Sequence, residues 1–127
     1  MKPKILYVDD EIINLELFKI NFEEDYQVIT AESGFEALKI VEKSSDLSII
    51  ISDLKMPGMN GLEFISKAKE HDPMYICIML TAFAESDIMM KAINEELIYR
   101  YLLKPWNREE LHKIIQVAFK KYESLKN

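Results

Sequence analysis

The chain has 127 residues, 49% of them hydrophobic and 30% charged, with a net charge of −6. That length suits one compact domain, the apolar fraction excludes a disordered chain, and the acidic balance excludes an intrinsic nucleic-acid-binding module, which needs a basic face. The single cysteine, Cys77, leaves no intrachain disulfide, and the apolar run before Asp9 is too short for a signal peptide or membrane span. A reducing, cytoplasmic setting is the default.

From the N-terminus, residues 4–8 read as a short buried strand that stops at Asp9-Asp10-Glu11. Residues 12–22 follow as a helix, with Ile13, Leu17 and Ile20 at helical spacing as its expected apolar stripe. A strand at 26–30 leads to a helix from Gly34 to about Val41, capped by Ser33 and striped by Phe35, Leu38 and Val41. The third strand, 48–52, ends at Asp53, and Pro57-Gly58 marks a turn. The next helix carries Leu62, Ile65 and Ala68 and ends at His71-Asp72-Pro73, because a proline disfavours helix in the residue before it. A fourth strand, 75–80, stops at Thr81 and precedes a helix at about 86–97. The fifth strand, 99–103, stops at Lys104-Pro105. The last helix, from Glu109 to about Leu125, presents Leu111, Ile114, Ile115, Ala118 and Tyr122 on one side, with Asn107 as its cap and Glu110 in the capping-box position.

Five β-α units without a break in composition predict a single domain over 1–127, an α/β three-layer (βα)5 doubly wound parallel sheet in the flavodoxin-like order 2-1-3-4-5. In such sheets ligands bind beyond the carboxyl ends of the strands, at the switch point between the first and third. Asp9, Asp10, Asp53, Thr81 and Lys104 all stand at those ends and are expected in one crevice. Crowded carboxylates repel, and hard oxygen ligands without histidine or cysteine favour Mg²⁺, with Mn²⁺ as a substitute. Asp10 and Asp53 as direct ligands, Asp9 holding a water, and one backbone carbonyl satisfy such an ion. Phosphate oxygens complete it, which points to phosphoryl chemistry. An ionised aspartate can attack phosphorus, and an ammonium and a hydroxyl, available as Lys104 and Thr81, can stabilise the charge that develops. Each side chain alone has an ordinary structural role as cap, turn or surface charge. Five such residues at four strand ends make coincidence the poorer account.

The segments ILYVDDE, IIISDLKMPGMNGLEF, IMLTAF and YLLKPW closely resemble the receiver domain of two-component response regulators, from about Lys4 to Phe119. The resemblance implies that Asp53 accepts a phosphoryl group from a phosphohistidine on a sensor histidine kinase or phosphotransfer protein. It implies that Asp9, Asp10, Asp53 and the backbone carbonyl of Lys55 hold Mg²⁺, and that Thr81 and Lys104 grip the phosphoryl oxygens. Tyr101, three residues before the lysine, is implied to move inward from solvent behind Thr81. That movement would change the face made by the fourth helix, fifth strand and fifth helix, through which a phosphorylation-dependent homodimer could form. Glu11, Leu54, Lys55, Ala82 and Glu85 flank the site, and the small Ala82 leaves room for phosphoryl entry. The segment 94–100 lacks the glycine that many receivers carry before the fifth strand.

The resemblance implies a signalling switch that phosphorylates and dephosphorylates only itself, not an enzyme in the usual sense, passing its signal to an output domain or downstream protein, without direct contact with nucleic acid or membrane. Residues 120–127 are expected to be a helix end or the start of a linker to an absent output domain. The alternatives are a phosphorylation-independent protein-binding module and a phosphatase of the haloacid dehalogenase kind. The latter expects Asp-x-Asp on the first strand, where this chain has Asp9-Asp10-Glu11. A flavin-binding domain of the same topology lacks support, because no Ser/Thr/Gly-rich loop follows the first strand. His71 and His112 read as surface residues, the methionines as core or surface filling, and Trp106 as packing under the last helix.

Overall fold

The computed structural model describes residues 2–82 and 86–126, Ser86 by its backbone alone. Ten elements alternate: β1 Lys4–Val8, α1 Ile12–Phe22, β2 Gln27–Ala31, α2 Gly34–Lys43, β3 Leu47–Asp53, α3 Gly61–His71, β4 Ile76–Thr81, α4 Ser86–Asn94, β5 Arg100–Leu103 and α5 Arg108–Lys126. The strands form one parallel sheet in the order β2-β1-β3-β4-β5. The sequence-based order therefore holds, and most strand limits move by about one residue.

β-Branched residues dominate β3, whose Ile49, Ile50 and Ile51 have no exposed surface. A strand covered on both faces needs no polar alternation, so its apolar run is continuous. Alternate side chains separate to the two faces. Leu6, Val8, Ile50, Cys77 and Met79 meet α2, α3 and α4 through Val41, Phe64, Ile65 and Met89. Ile5, Tyr7, Ile49, Ile51 and Ile78 meet α1 and α5 through Leu15, Phe18, Phe22, Leu111 and Ile115. Each aliphatic side chain buried this way contributes roughly 1.5–3 kcal/mol, enough to fix the strand register. Among the described residues, no helix is long and apolar enough to cross a membrane.

Four expectations need correction. In α1 the buried residues are Leu15, Phe18 and Phe22, whereas Ile13 is 72%, Leu17 49% and Ile20 69% exposed. This helix is apolar on nearly every side, and Phe18 and Phe22, four residues apart, offer the larger area to the sheet. In α2 the buried set is Gly34, Ala37 and Val41, and Phe35 lies exposed. Helix α4 stops at Asn94 rather than about 97, because the amides of Leu97 and Ile98 both turn back to the Ala92 carbonyl and Glu96 adopts a φ of 60°. That left-handed residue stands where a glycine commonly ends a helix, and Lys69 Nζ caps its carbonyl at 3.0 Å. Finally, His112 is half-buried rather than on the surface, set edge-on against Phe22 and Tyr26 at 6.0 and 5.6 Å. Trp106 meets Phe18 and Phe22 of α1.

Candidate functional site

Parallel pairing sets the strand ends level. Val8 pairs with Ser52, Asp53 with Leu80, and Thr81 with Leu103, so the residues just beyond converge on one edge. The Leu54 amide donates to the Leu80 carbonyl at 3.1 Å and the Lys104 amide to the Thr81 carbonyl at 2.8 Å, which ties neighbouring loops together. Helix α3 begins with a reciprocal capping box between Asn60 and Glu63, and the Gly61 amide donates to the Leu54 carbonyl at 2.8 Å. That contact draws the helix start over Asp53. A Cβ at Gly61 would lie 2.2 Å from the Asp53 carbonyl oxygen.

The expected acidic cluster forms. Asp9, Asp10 and Asp53 each offer an oxygen, all within 4.8 Å of one another, with Asp9 buried, Asp53 half-buried and Asp10 exposed. Lys104 Nζ bridges two of them, at 3.0 Å from Asp9 Oδ2 and 3.3 Å from Asp53 Oδ2. Burial raises the Asp53 carboxyl above its ordinary value; the Lys104 ammonium opposes this and the Asp9 charge adds to it. Burial acts to lower Lys104, but the two carboxylates outweigh it and hold the ammonium above its ordinary value. One lysine therefore does not neutralise the cluster. The donor set is all oxygen and partly open to water, and among the described residues neither imidazole nor thiolate joins it. It fits Mg²⁺ rather than a soft metal.

Thr81 is buried at the end of β4, Ala82 is exposed beside it, and Lys55 is exposed two residues beyond Asp53. Leu54 is buried and Glu11 is exposed as the residue preceding α1. Tyr101 packs half-buried against the α2-α3-α4 side of the core rather than standing in solvent. Glu85 lies outside the described residues. Sequence reasoning missed two further residues at the site. The Tyr7 hydroxyl donates to Asp9 Oδ2 at 3.0 Å and the Asn14 amide to the same oxygen at 3.2 Å. Tyr7 read only as part of an apolar run, and Asn14 as one polar position in a helix. Beside the carboxylates, a groove of about 490 Å³ opens between α1 and the 104–106 segment, lined by Leu17, Asn21, Pro105 and Trp106 among others.

Comparison with known proteins gives concordant findings. The family described as the response regulator receiver domain matches residues 5–116. The sporulation initiation phosphotransferase F of Bacillus subtilis is 34% identical over 100% of this chain and 98% of its own length. The hydrogenase transcriptional regulatory protein HoxA of Cupriavidus necator is 31% identical over 90% of this chain but 23% of its own, so the chain spans about a quarter of that relative. Among solved structures, one described as adenylate cyclase from Rhodopirellula baltica superposes with a TM-score of 0.95 at 36% identity, covering 99% of this chain and 93% of that one.

Proposed function

The chain belongs to the response regulator receiver domain family, and on that premise we propose that Asp53 is the residue that carries its phosphoryl group. Receiver domains are phosphorylation-controlled signalling switches rather than enzymes in the usual sense, and the family binds Mg²⁺ in an acidic pocket. The observation that carries the residue assignment is the bridging of Asp9 and Asp53 by Lys104, beside Thr81, at one edge of the sheet.

An oxygen of Asp53 attacks the phosphorus of a phosphohistidine, the phosphorus–nitrogen bond breaks, and the imidazole leaves with the electron pair. Lys104, already 3.3 Å from Asp53, needs only a small movement to reach a phosphoryl oxygen. Thr81, one strand away, supplies a hydroxyl to another oxygen. Asp10, Asp53 and the carbonyl of Lys55 would hold Mg²⁺ directly and Asp9 through a water; Mn²⁺ would suit the same oxygen set. The ion, when bound, offsets the carboxylate repulsion and the charge on the phosphoryl oxygens. The same site releases its phosphoryl group to water, so the only turnover is of the protein itself.

The new charge and acceptor oxygens at Asp53 draw Thr81 toward them. Tyr101, already packed against the core, moves further into the space vacated, and the α4-β5-α5 face changes. Exposed Ile88, Met90 and Leu103 give that face an apolar surface for a downstream partner, an output domain or a second copy of the chain. The donor protein is a sensor histidine kinase or phosphotransfer protein. It docks over the groove beside α1, which exposed Leu17 lines, on the helix that also exposes Ile13 and Ile20. Acetyl phosphate with Mg²⁺ should label the protein, the Asp53→Asn variant should stay unlabelled, and equal labelling of the variant would defeat the assignment.

A further inference from the structure

Asp9 is the most deeply placed carboxylate of the cluster, with no exposed surface, and its hydrogen bonds are unevenly divided. Its Oδ1 accepts the Glu11 amide at 3.0 Å. Among the described residues, its Oδ2 accepts three donors: the Tyr7 hydroxyl at 3.0 Å, the Asn14 amide at 3.2 Å and the Lys104 ammonium at 3.0 Å. A carboxylate oxygen has two lone pairs, so three donors leave Oδ2 saturated. Of the three, Lys104 alone also faces Asp53, and it is the donor that phosphoryl transfer would draw away.

Tyr7 is unlike a surface donor. Its ring is fully buried in the sheet and stacks on Phe18, with centroids 4.2 Å apart and planes 6° apart. Phe18 in turn meets the edge of Trp106 at 6.2 Å, on the segment that carries Lys104. The hydroxyl is therefore aimed by packing rather than by the carboxylate it serves. Asn14, on the first turn of α1, donates to the same oxygen and also reaches Glu11 Oε2 at 3.4 Å.

We propose that Tyr7 and Asn14 are positioning residues for the metal site: their two neutral donors hold the Asp9 carboxylate in place, and keep it satisfied once Lys104 turns toward the phosphoryl group. This rests on the reading of Asp9, Asp10 and Asp53 as the Mg²⁺ site. Outer partners of this kind fix the orientation of metal ligands, and their loss typically weakens metal binding about 10–100-fold. Charged Lys104 is a poor substitute, since it is shared between Asp9 at 3.0 Å and Asp53 at 3.3 Å and is the donor that moves toward the phosphoryl oxygens. The alternative is that Tyr7 is a core tyrosine that merely takes Asp9 as its acceptor, in which case the metal would not sense its hydroxyl.

Calorimetric titration of the unphosphorylated full chain with Mg²⁺ separates the two. Tyr7→Phe keeps the stacked ring and removes only the hydroxyl; Asn14→Ala removes the second donor. Both are expected to weaken Mg²⁺ binding at least threefold and by about tenfold, while acetyl phosphate labelling returns toward the unsubstituted rate when Mg²⁺ is raised to saturation. Tyr7→Phe binding Mg²⁺ within threefold of the unsubstituted protein overturns the proposal. If circular dichroism in chelator shows that Tyr7→Phe does not fold, Asn14→Ala decides by the same threshold. An unsubstituted protein that takes up no Mg²⁺ would instead sink the underlying assignment of the acidic site.

Discussion

Gly61 offers a test in which two effects of opposite sign compete. It is the first residue of α3, and replacing glycine by alanine in a helix ordinarily gains up to about 1 kcal/mol. Here the added methyl would stand 2.2 Å from the Asp53 carbonyl oxygen, 3.1 Å from its carbon and 3.0 Å from Met79 Sδ. An ordinary carbon–oxygen contact is about 3.3 Å, so helix and strand end must separate by about 1 Å. The methionine can rotate away; the carbonyl belongs to backbone held by the pairing of β3 with β4 and cannot. Overpacking costs about 1–3 kcal/mol, and a clash with immovable backbone falls at the upper end of that range, so after the helical gain the net effect of Gly61→Ala is a loss of about 2 kcal/mol. The same displacement moves the reacting carboxylate, and a misplacement of about 1 Å costs roughly 100-fold in rate. Urea unfolding reads the first quantity and the initial rate of labelling by acetyl phosphate the second. A variant as stable as the unsubstituted protein would refute the steric reasoning. Lost stability with an undiminished rate would refute the claim that Gly61 places Asp53.

Because burial raises the Asp53 carboxyl, that group contributes stability that is complete below the ordinary value of 3.8 and lost as pH rises through its higher folded value. Metal-free Asp53→Asn should therefore be more stable than the unsubstituted protein at pH 7, with the difference fading as pH falls below about 4; urea midpoints in chelator across that range check it, and no advantage at pH 7 contradicts it. Burial pushes the Cys77 thiol up to about 12, so at pH 8 a thiol-exchange reagent should react only after unfolding, and rapid reaction of the native protein would count against a closed core. Glu96 holds a φ of 60°, which costs a non-glycine residue about 1–2 kcal/mol, offset in part by the greater freedom of glycine in the unfolded chain. Glu96→Gly should raise stability by about 0.5–1 kcal/mol in urea, and a loss would show that its backbone is not strained.

What the sequence made legible follows from where information is local. Buried parallel strands announce themselves as apolar runs, and Asp9, Asp10, Asp53, Thr81 and Lys104 were visible because each ends one. The topology then brings together residues up to 95 positions apart, as in the contact of Lys104 with Asp9. The face of α1 was misread because Ile12, Ile13, Leu17 and Ile20 compete with Leu15, Phe18 and Phe22 in a helix of almost unbroken hydrophobicity, and spacing alone cannot choose between stripes. The phenol of Tyr7 was hidden for another reason. Its ring belongs to the core and its oxygen to the site, and a run of apolar letters records only the first. Glu96 shows a third limit: the missing glycine before β5 was evident, but not that a glutamate would adopt the glycine-like conformation and be capped by Lys69.

On the proposed function Asp53, rather than the neighbouring Asp10 or another side chain, carries the phosphoryl group. Borohydride reduces an aspartyl phosphate to homoserine, so treatment after acetyl phosphate and Mg²⁺, followed by peptide sequencing, reads the site directly. The expected result is homoserine at position 53 and aspartate retained at positions 9 and 10. Homoserine at position 10, or phosphate recovered on a hydroxyl or a histidine, would contradict it.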